Sequence, residues 1–281
     1  MSHVSIDALT SPALKHVRER WWDDQFTEFL VEALRPRPGN RILDVGSGAG
    51  AAEVSIGRLH VSQVRMYGVD LKLTEVAAAA REVASHNQRA QFIAGDACRL
   101  PFRDGSFDST YSVAVLQYIA NVDLAVGELA RVTRSGGRII GVEPDNSARY
   151  AFSSVPAGAA AFEMAARFFL ALGRARGETA EPAVGPKLPG LFAAHGIDVD
   201  DVRLFPVSHA LIGDAAGELW AQRREKVQRA VDQATDSEAR ALGGEYLAAL
   251  EVYRREAEQA GRAFVEIQNT MLFAAIGQKA T

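Results

Sequence analysis

Short apolar runs alternate with amphipathic stretches along the first half of the chain. The apolar runs predict strands at 41–45, 64–69, 90–94, 109–115 and 137–143, and the amphipathic stretches predict helices at 51–60, 73–86 and 121–133. Strands that alternate with helices are typical of a parallel sheet that carries helices on both faces. The pattern therefore predicts an α/β fold with a doubly wound sheet.

Helical spacing dominates the rest of the chain. A helix is predicted at 11–35, ahead of the first strand, and Thr74 is the predicted N-cap of the helix at 73–86. Beyond Pro144 the pattern predicts a helix at 155–176, a loop at 185–189, a short helix at 190–195, a strand at 199–211, helices over 214–260 that separate near Gly243-Gly244, and a last strand at 264–277.

Three glycines, Gly46, Gly48 and Gly50, follow the first predicted strand at the point where it turns into a helix. Glycine allows a tight turn and lets a ligand approach the backbone without meeting a Cβ atom. Asp70 ends the next strand, where a carboxylate can accept hydrogen bonds from two ribose hydroxyls. This loop by itself does not separate a dinucleotide from other adenosine cofactors.

Composition narrows the class of protein. The 281 residues are 48% hydrophobic, enough for a sizeable core, and the 31 basic and 35 acidic side chains give a net charge of −4. This balance does not suggest nucleic-acid binding. The single cysteine, Cys98, excludes an internal disulfide and a cysteine-based metal cluster. We recognise no signal peptide, no apolar run of the ~18 residues that a membrane helix needs, and no metal-ligand spacing, so we expect a cytoplasmic protein without a metal site or a membrane partner.

Further motifs point to one family. Asp44 extends the loop to Asp-x-Gly-x-Gly-x-Gly, residues 95–97 read Gly-Asp-Ala, residues 100–102 read Leu-Pro-Phe, and residues 107–108 read Phe-Asp before the fourth strand. Together these motifs resemble the class I S-adenosylmethionine (SAM)-dependent methyltransferases, in particular the small-molecule branch similar to ubiquinone and menaquinone methyltransferases. The resemblance covers roughly residues 15–145.

The resemblance implies a fold and an organisation for the chain. The implied fold is a doubly wound, mostly parallel, seven-stranded Rossmann-like sheet with a helical cap insertion. The expected segments are an N-terminal helical segment at 1–35, a SAM-binding core at 36–150, the remaining sheet with acceptor-side helices at 151–213, a helical cap at 214–262 and a final strand at 263–281. The implied activity is in-line transfer of a methyl group from SAM to a small-molecule acceptor.

The resemblance also implies cofactor-binding roles for ten residues. These are Asp44 for the ammonium group; Gly46, Ser47 and Gly48 for the methionine part; Asp70 for the ribose and Leu71 for the adenine face; Asp96 and Ala97 for the adenine edge; and Val113 and Tyr118 near the methionine end. Each aspartate has an alternative role. Asp44 can fix the loop through backbone N–H bonds, Asp70 can cap the helix near Thr74, and Asp96 can be a turn residue.

Catalytic residues are less clearly marked than cofactor residues. Tyr118, Glu143 and Asp145 are candidates because they follow strands at the carboxyl edge of the sheet, although loop capping explains Asp145 equally well. Tyr150, Phe152 and Trp220 can line an apolar acceptor pocket or pack in the core, and we prefer core packing.

Two other interpretations stay open. One is an NAD(P)-dependent oxidoreductase, which needs a longer pocket and a Tyr/Lys or Cys/His pair that we do not recognise. The other is a non-catalytic module that binds SAM or a partner. The sequence singles out neither the acceptor nor the choice among O-, N- and C-methylation, and a homodimer is kept as a candidate assembly.

Overall fold

The computed structural model describes residues 22–59, 63–175, 183–213 and 217–281. The helices in these ranges are α1 (Asp24–Leu34), α2 (Ala51–Arg58), α3 (Leu73–Ser85), α4 (Val122–Val132), α5 (Ala157–Ala175), α6 (Val184–Ala194), α7 (Gly217–Gln233) and α8 (Ser237–Ala260). The strands are β1 (Arg41–Val45), β2 (Arg65–Asp70), β3 (Ala90–Ala94), β4 (Phe107–Val113), β5 (Thr133–Ser153), β6 (Ile197–Ile212) and β7 (Val265–Lys279). Residues 11–21 of the predicted first helix lie outside the described residues.

The strands form one seven-stranded sheet in the order β3-β2-β1-β4-β5-β7-β6. Strands β1 to β5 pair in parallel with their neighbours, while the sheet as a whole is mixed. The order reverses between β1 and β4, and ligands of open α/β sheets bind in the crevice beside such a reversal, at the carboxyl ends of the strands. The predicted α/β class and the seven strands are confirmed.

The chain divides into two compact units. The sheet unit contains the described residues within 19–147, 181–205 and 271–281, and its core joins residues of β1 and β4 to α4 and α6. The helical unit contains those within 148–180 and 206–270, and its core includes Phe168, Trp220, Tyr253 and Phe264. Each unit therefore has an apolar core of its own.

Helix α6 corrects the predicted loop at 185–189. Val184, Leu188 and Phe192 are fully buried at a spacing of four residues, so one face of this segment packs as a helix. Pro186 lies in the first turn, where a proline removes no helical hydrogen bond, and only Pro189 lies inside the helix. The segment is helical because burial of its apolar face outweighs the tendency of proline to interrupt a helix.

The predicted separation near Gly243-Gly244 is also wrong. The break falls at residues 234–236, where Asp236 caps α8 by accepting a hydrogen bond from the Ala239 N–H at 2.8 Å. Gly243 lies inside α8 at a close contact with α7, since a Cβ atom at this position would be 2.3 Å from Val231 Cγ2. The glycine marks a close helix contact instead of a helix end.

Two smaller predictions also need correction. Thr74 does not cap α3, because the N-cap is Lys72, which makes no side-chain capping bond. Strand β5 is 21 residues long, whereas the pattern predicted residues 137–143. Residues 135–137, Ser-Gly-Gly, lie inside β5, and the pairing of β5 with β4 shifts between Phe107 and Ser109.

Candidate functional site

The loop after β1 is fixed to the end of β2 by backbone hydrogen bonds. The N–H groups of Gly46 and Ser47 both donate to the Val69 carbonyl, at 2.7 and 3.1 Å, and the Gly50 N–H donates to the Ser47 carbonyl at 3.0 Å. The short segment from Gly46 to Gly50 is thereby held over the carboxyl ends of two adjacent strands.

Gly46 and Gly48 have different tasks in this loop. Gly46 has a φ of +87°, and a Cβ atom there would lie 2.2 Å from Val115 Cγ2, in the segment after β4. Gly48 has a φ of +49°, and no atom of the described residues lies within 4 Å of the position where its Cβ would be. Gly46 therefore allows close packing within the protein, whereas Gly48 leaves its backbone open to a ligand.

Asp70 connects the loop to β2. Its Oδ2 accepts a hydrogen bond from the Gly48 N–H at 3.0 Å, and its Oδ1 accepts one from the Lys72 N–H at 2.9 Å. Neither bond caps α3, so the capping alternative for Asp70 is wrong. A carboxylate has about four acceptor positions, so each oxygen can accept another donor.

Leu71 follows with 57% of its surface exposed, which leaves an apolar side chain open to solvent next to Asp70.

Asp96 shapes the turn after β3. Its Oδ1 accepts from the Cys98 N–H at 2.8 Å and its carbonyl accepts from the Arg99 N–H at 2.9 Å, as expected for a turn aspartate. The Gly95 N–H donates to the Asp70 carbonyl at 2.9 Å, so the ends of β2 and β3 are adjacent. Ala97 packs against the core of the sheet unit.

Asp44, Glu53 and Tyr111 form what we call the acidic cluster, in which every side chain is buried. Asp44 pairs with Tyr111 in the register of β1 and β4, and Glu53 lies on α2. Burial raises the pKa of Asp44 to about 8; the Tyr111 hydroxyl opposes this shift and the charge of Asp70 adds to it. Burial, followed by the charge of Asp44, raises the pKa of Glu53 well above its usual range. Burial thus favours the protonated form of both carboxyl groups.

Buried polar atoms at the cluster and the loop lack partners. No hydrogen-bond partner exists within the described ranges for Ser47 Oγ, both carboxylate oxygens of Glu53, the Tyr111 hydroxyl or Ser112 Oγ. The Tyr111 hydroxyl is close enough to favour the ionised form of Asp44, yet it makes no hydrogen bond of ordinary geometry. Buried polar groups in folded proteins almost always have a partner, so these atoms indicate a site built to receive a polar ligand or water.

Glu143 fixes the segment after β4. It is fully buried, and its carboxylate accepts hydrogen bonds from the N–H groups of Val115, Leu116 and Gln117 at 2.8, 2.7 and 3.3 Å. These bonds hold the short 3₁₀ helix Leu116–Tyr118. Glu143 thus positions the segment that carries Tyr118 and packs against Gly46.

Other candidates near this segment have structural contacts. Asp145 lies inside β5 and not in a loop after the strand, and its Oδ1 accepts from the N–H and the hydroxyl of Ser147 at 2.9 and 2.5 Å. Asn146 Nδ2 donates to Gln117 Oε1 at 2.8 Å. Val113 is the last residue of β4, and the next N–H, of Ala114, donates to the Val142 carbonyl at 2.8 Å.

The three aromatic candidates differ in burial. Trp220 is 2% exposed and packs in the core of the helical unit with Tyr253 and Phe264, in agreement with the preferred interpretation. Tyr150 and Phe152 are 57% and 43% exposed, so the preference for core packing is wrong for both.

Sequence reasoning missed Glu53, Tyr111 and Ser112. Glu53 had a detectable signal, because an acidic residue next to Ala52 and three positions before Ile56 falls on the apolar face of the predicted helix. Tyr111 and Ser112 had none, because a strand buried on both faces gives no periodic pattern.

Within the described ranges, no helix has the length and hydropathy needed to cross a membrane. The same residues contain no group of three or more His, Cys, Asp or Glu side chains that could hold a metal ion.

Comparisons with known proteins agree with the motifs. Residues 43–141 match the family described as a methyltransferase domain. The demethylmenaquinone methyltransferase of Beutenbergia cavernae is 33% identical over 135 residues, which cover 48% of this chain and 52% of that protein. The chain thus spans about half the length of the curated relatives that it matches. The resemblance to methyltransferases is therefore confirmed for residues 43–141.

Solved structures share the fold at low identity. The [4+2]-cyclase SpnF is 20% identical, with 92% of this chain and 81% of that chain covered and a TM-score of 0.52. Phosphoethanolamine N-methyltransferase 2 of Haemonchus contortus, in complex with phosphomonomethylethanolamine and S-adenosylhomocysteine, is 17% identical, with 99% of this chain and 61% of that chain covered and a TM-score of 0.54. At these identities the likeness shows the fold alone.

Proposed function

Because residues 43–141 match a methyltransferase domain, we propose that this protein transfers a methyl group from SAM to a small-molecule acceptor by in-line displacement. One structural relative is named a cyclase, so the fold alone does not determine the reaction. The observation that carries the proposal is local. An open glycine backbone at Gly48 lies near a buried acidic cluster in which both Glu53 carboxylate oxygens and the Tyr111 hydroxyl lack partners among the described residues.

The residues at the loop fit SAM group by group. SAM presents an ammonium and a sulfonium, and the acidic cluster supplies buried carboxyl groups that gain a partner when a cation binds. Asp70 would accept from the ribose hydroxyls, Leu71 would cover the adenine, and the turn at Asp96 and Ala97 would meet the adenine edge. In this assignment Glu53 assists Asp44 at the methionine end, together with the loop Gly46–Gly48, Val113 and Tyr118.

When bound, SAM supplies a methyl group already activated by the adjacent positive sulfur. The protein then needs only to hold donor and acceptor in line and to exclude water, and such positioning can supply roughly 7–11 kcal/mol of the barrier. Glu143 contributes to positioning, since it orders the segment from Val115 to Gln117. We assign no general base to Glu143 because its carboxylate already accepts three backbone N–H bonds. Tyr118 remains the candidate for contact with the acceptor.

A small-molecule acceptor agrees with the names of two relatives. One is named for demethylmenaquinone, and the other was solved with a phosphorylated amine. Both are small molecules, which supports that class of acceptor for this chain.

Two exposed leucines provide a direct test of the cofactor site. We expect SAM and S-adenosylhomocysteine to bind the purified chain in isothermal titration calorimetry. Leu71→Glu should weaken both by at least about tenfold, because a charge replaces the apolar surface proposed to cover the adenine. The matched control is Leu124→Glu on α4, where the leucine is 52% exposed, and it should leave affinity unchanged.

Three results would contradict the proposal. They are no binding of either compound at about 1 mM, equal effects of the two leucine changes, or NADH binding in place of SAM, seen as a change in NADH fluorescence. The last result would favour the oxidoreductase alternative. Binding without any release of S-adenosylhomocysteine across a panel of small acceptors would favour the non-catalytic module.

A further inference from the structure

The two edge strands of the sheet differ in length. Strand β3 forms one edge and has five residues, whereas β6 forms the other and has sixteen. Among the described residues, no strand pairs with the outer side of either one. A short edge strand offers little backbone to another chain, whereas a long one needs charged side chains, proline or a cover to prevent pairing. The sequence of β6 therefore determines whether its edge is protected.

Only the first part of β6 is protected. Residues 198–203 contain three aspartates and one arginine, and Pro206 follows. Charged side chains and proline both oppose pairing at a sheet edge. The next segment, which we call the open edge, is Val-Ser-His-Ala-Leu-Ile at 207–212 and contains no Asp, Glu, Lys, Arg, Pro or Gly. It lies wholly within the helical unit. Short uncharged segments of this kind pair readily with other strands.

Contacts with β7 fix which backbone groups of the open edge point outward. The Gly213 N–H donates to the Phe264 carbonyl at 2.9 Å, and Asn269 Nδ2 donates to Ser208 Oγ at 3.1 Å. Both contacts fit one antiparallel register, in which Gly213 lies opposite Phe264 and Ser208 opposite Asn269. Backbone groups alternate in direction along an antiparallel strand. Those of residues 207, 209 and 211 therefore point to β7, and those of residues 208, 210 and 212 point away from it.

The side chains of the outward-pointing residues are exposed as well. Leu211 packs against the core of the helical unit, and alternation along the strand places Ser208, Ala210 and Ile212 on the opposite face of the sheet. Ser208 and Ala210 are exposed, and Ile212 is 78% exposed. The open edge thus presents both its backbone groups and an apolar side chain to solvent.

We propose that the open edge pairs antiparallel with the open edge of a second copy of this chain, about a two-fold axis at Ala210. In this register the Ala210 N–H of each copy donates to the Ala210 carbonyl of the other. Ser208 lies opposite Ile212 of the second copy, and each such pair also exchanges two backbone hydrogen bonds. All three outward-pointing residues on each copy thereby gain partners. The contact uses neither SAM nor the proposed function.

The segment itself favours a second copy as the partner. It has no Asp, Glu, Lys or Arg, so identical segments meet without repulsion between like charges. A small side chain, Ala210, lies at the axis, and Ile212 packs diagonally against Ala210 of the second copy. The two-fold axis uses up the open edge of both chains, so association stops at a dimer.

Sedimentation velocity on the full chain tests the assembly. Between about 1 and 200 µM the chain should pass from monomer to dimer. Ala210→Pro removes an outward N–H that β7 does not use, and Ala210→Lys places a charge at the axis, so both should be monomeric over this range. The matched control is Ala248→Lys, at an exposed alanine of α8, and it should dimerise like the parent.

Amide hydrogen exchange, followed by NMR, locates the contact. As the protein concentration rises, the N–H groups of Ser208, Ala210 and Ile212 should exchange at least about tenfold more slowly, because the second copy bonds them. The N–H groups of residues 207, 209 and 211 already point to β7 and should change much less. Alternate protection of this kind identifies backbone pairing at the open edge and not a contact elsewhere on the surface.

The proposal is overturned by a chain that stays monomeric up to about 200 µM, by protection that rises evenly along 207–212, or by a folded Ala210 variant that dimerises like the parent. Melting temperatures show whether the variants are folded. If Ala210→Pro unfolds, Ala210→Lys decides, since its backbone is unchanged. These measurements omit SAM, so failure here leaves the proposed function untouched, and failure of SAM binding leaves the dimer untouched.

Discussion

Two regions of the molecule bury acidic side chains in opposite ways. In the sheet unit, both oxygens of Glu53 lack partners, and burial raises the pKa values of Glu53 and Asp44. In the helical unit, Glu266 is 2% exposed, and burial would raise its pKa, but the Arg223 guanidinium outweighs burial and holds that pKa below its usual range. A buried carboxyl group with its partners in place holds the fold together. One without partners indicates a place for a ligand.

We expect the largest effect at the buried Glu266, whose carboxylate is paired with the Arg223 guanidinium. Glu266→Ala leaves Arg223 without its partner and should lower the free energy of unfolding by about 3–5 kcal/mol, measured by urea denaturation. Glu225→Ala, which breaks the exposed pair with Arg229, should cost less than about 1 kcal/mol. Equal losses would show that burial of the Arg223–Glu266 pair is not what matters.

The next effect separates the two glycines of the loop. Gly46→Ala should cost about 2–4 kcal/mol of stability, because the new methyl overlaps Val115 and the residue has a positive φ. Gly48→Ala meets no atom of the described residues and should cost only about 1 kcal/mol, yet it should weaken SAM binding more than about tenfold. Urea denaturation and calorimetry measure the two quantities. If Gly48→Ala binds SAM like the parent, the open side of the loop is not the ligand side.

A third comparison makes one chemical change at two buried glutamates. Glu143→Gln places an amide among three backbone donors and should lower the free energy of unfolding by about 1–3 kcal/mol. Glu53→Gln should change it by less than about 0.5 kcal/mol, because no group among the described residues hydrogen-bonds to the Glu53 carboxylate oxygens and burial raises the pKa of Glu53. SAM affinity should fall in Glu53→Gln. A destabilised Glu53→Gln protein with normal SAM affinity would make Glu53 structural.

Taken per pH unit, the smallest effect comes from a single proton on Asp44, although it accumulates over several pH units. The pKa of Asp44 is about 8 in the folded protein against a usual value of 3.8. Between about pH 4 and pH 8 the folded protein therefore keeps a proton on Asp44 that the unfolded protein has already released. Stability should therefore fall as pH rises through this window, by at most about 1.4 kcal/mol per pH unit, and Asp44→Asn should remove this part of the slope.

Binding of a cationic ligand should release the same Asp44 proton into solution. At about pH 6, capture of a cationic ligand should expel close to one proton from Asp44, and Asp44→Asn should expel none. Calorimetry in two buffers that differ in ionisation heat measures this number. Equal proton release from both proteins would place the ligand cation away from Asp44.

The sheet core could be predicted because its signals are local. Strands β1 and β3 have the predicted bounds, since each is a short apolar run between turn residues. The errors at α6 and Gly243 have one physical cause. A proline or a glycine predicts a break, but contacts with distant residues such as Val231 decide whether the helix continues.

The candidate site was predictable only where a motif marked it. The loop, Asp70 and Asp96 lie at adjacent strand ends, as parallel pairing requires. The partners of Glu143 could not be predicted, because they lie 26 to 28 residues away in the chain.

The turn that Asp96 organises also carries the one sulfhydryl of the chain. Cys98 donates its backbone N–H to Asp96, and burial together with the Asp96 charge raises the pKa of its thiol. A protonated thiol alkylates slowly, so Cys98 should react at a rate that reports on its immediate surroundings. An adenine docked on this turn would shield it further. Under the proposed cofactor assignment, alkylation of Cys98 should report site occupancy without an engineered label or a known acceptor.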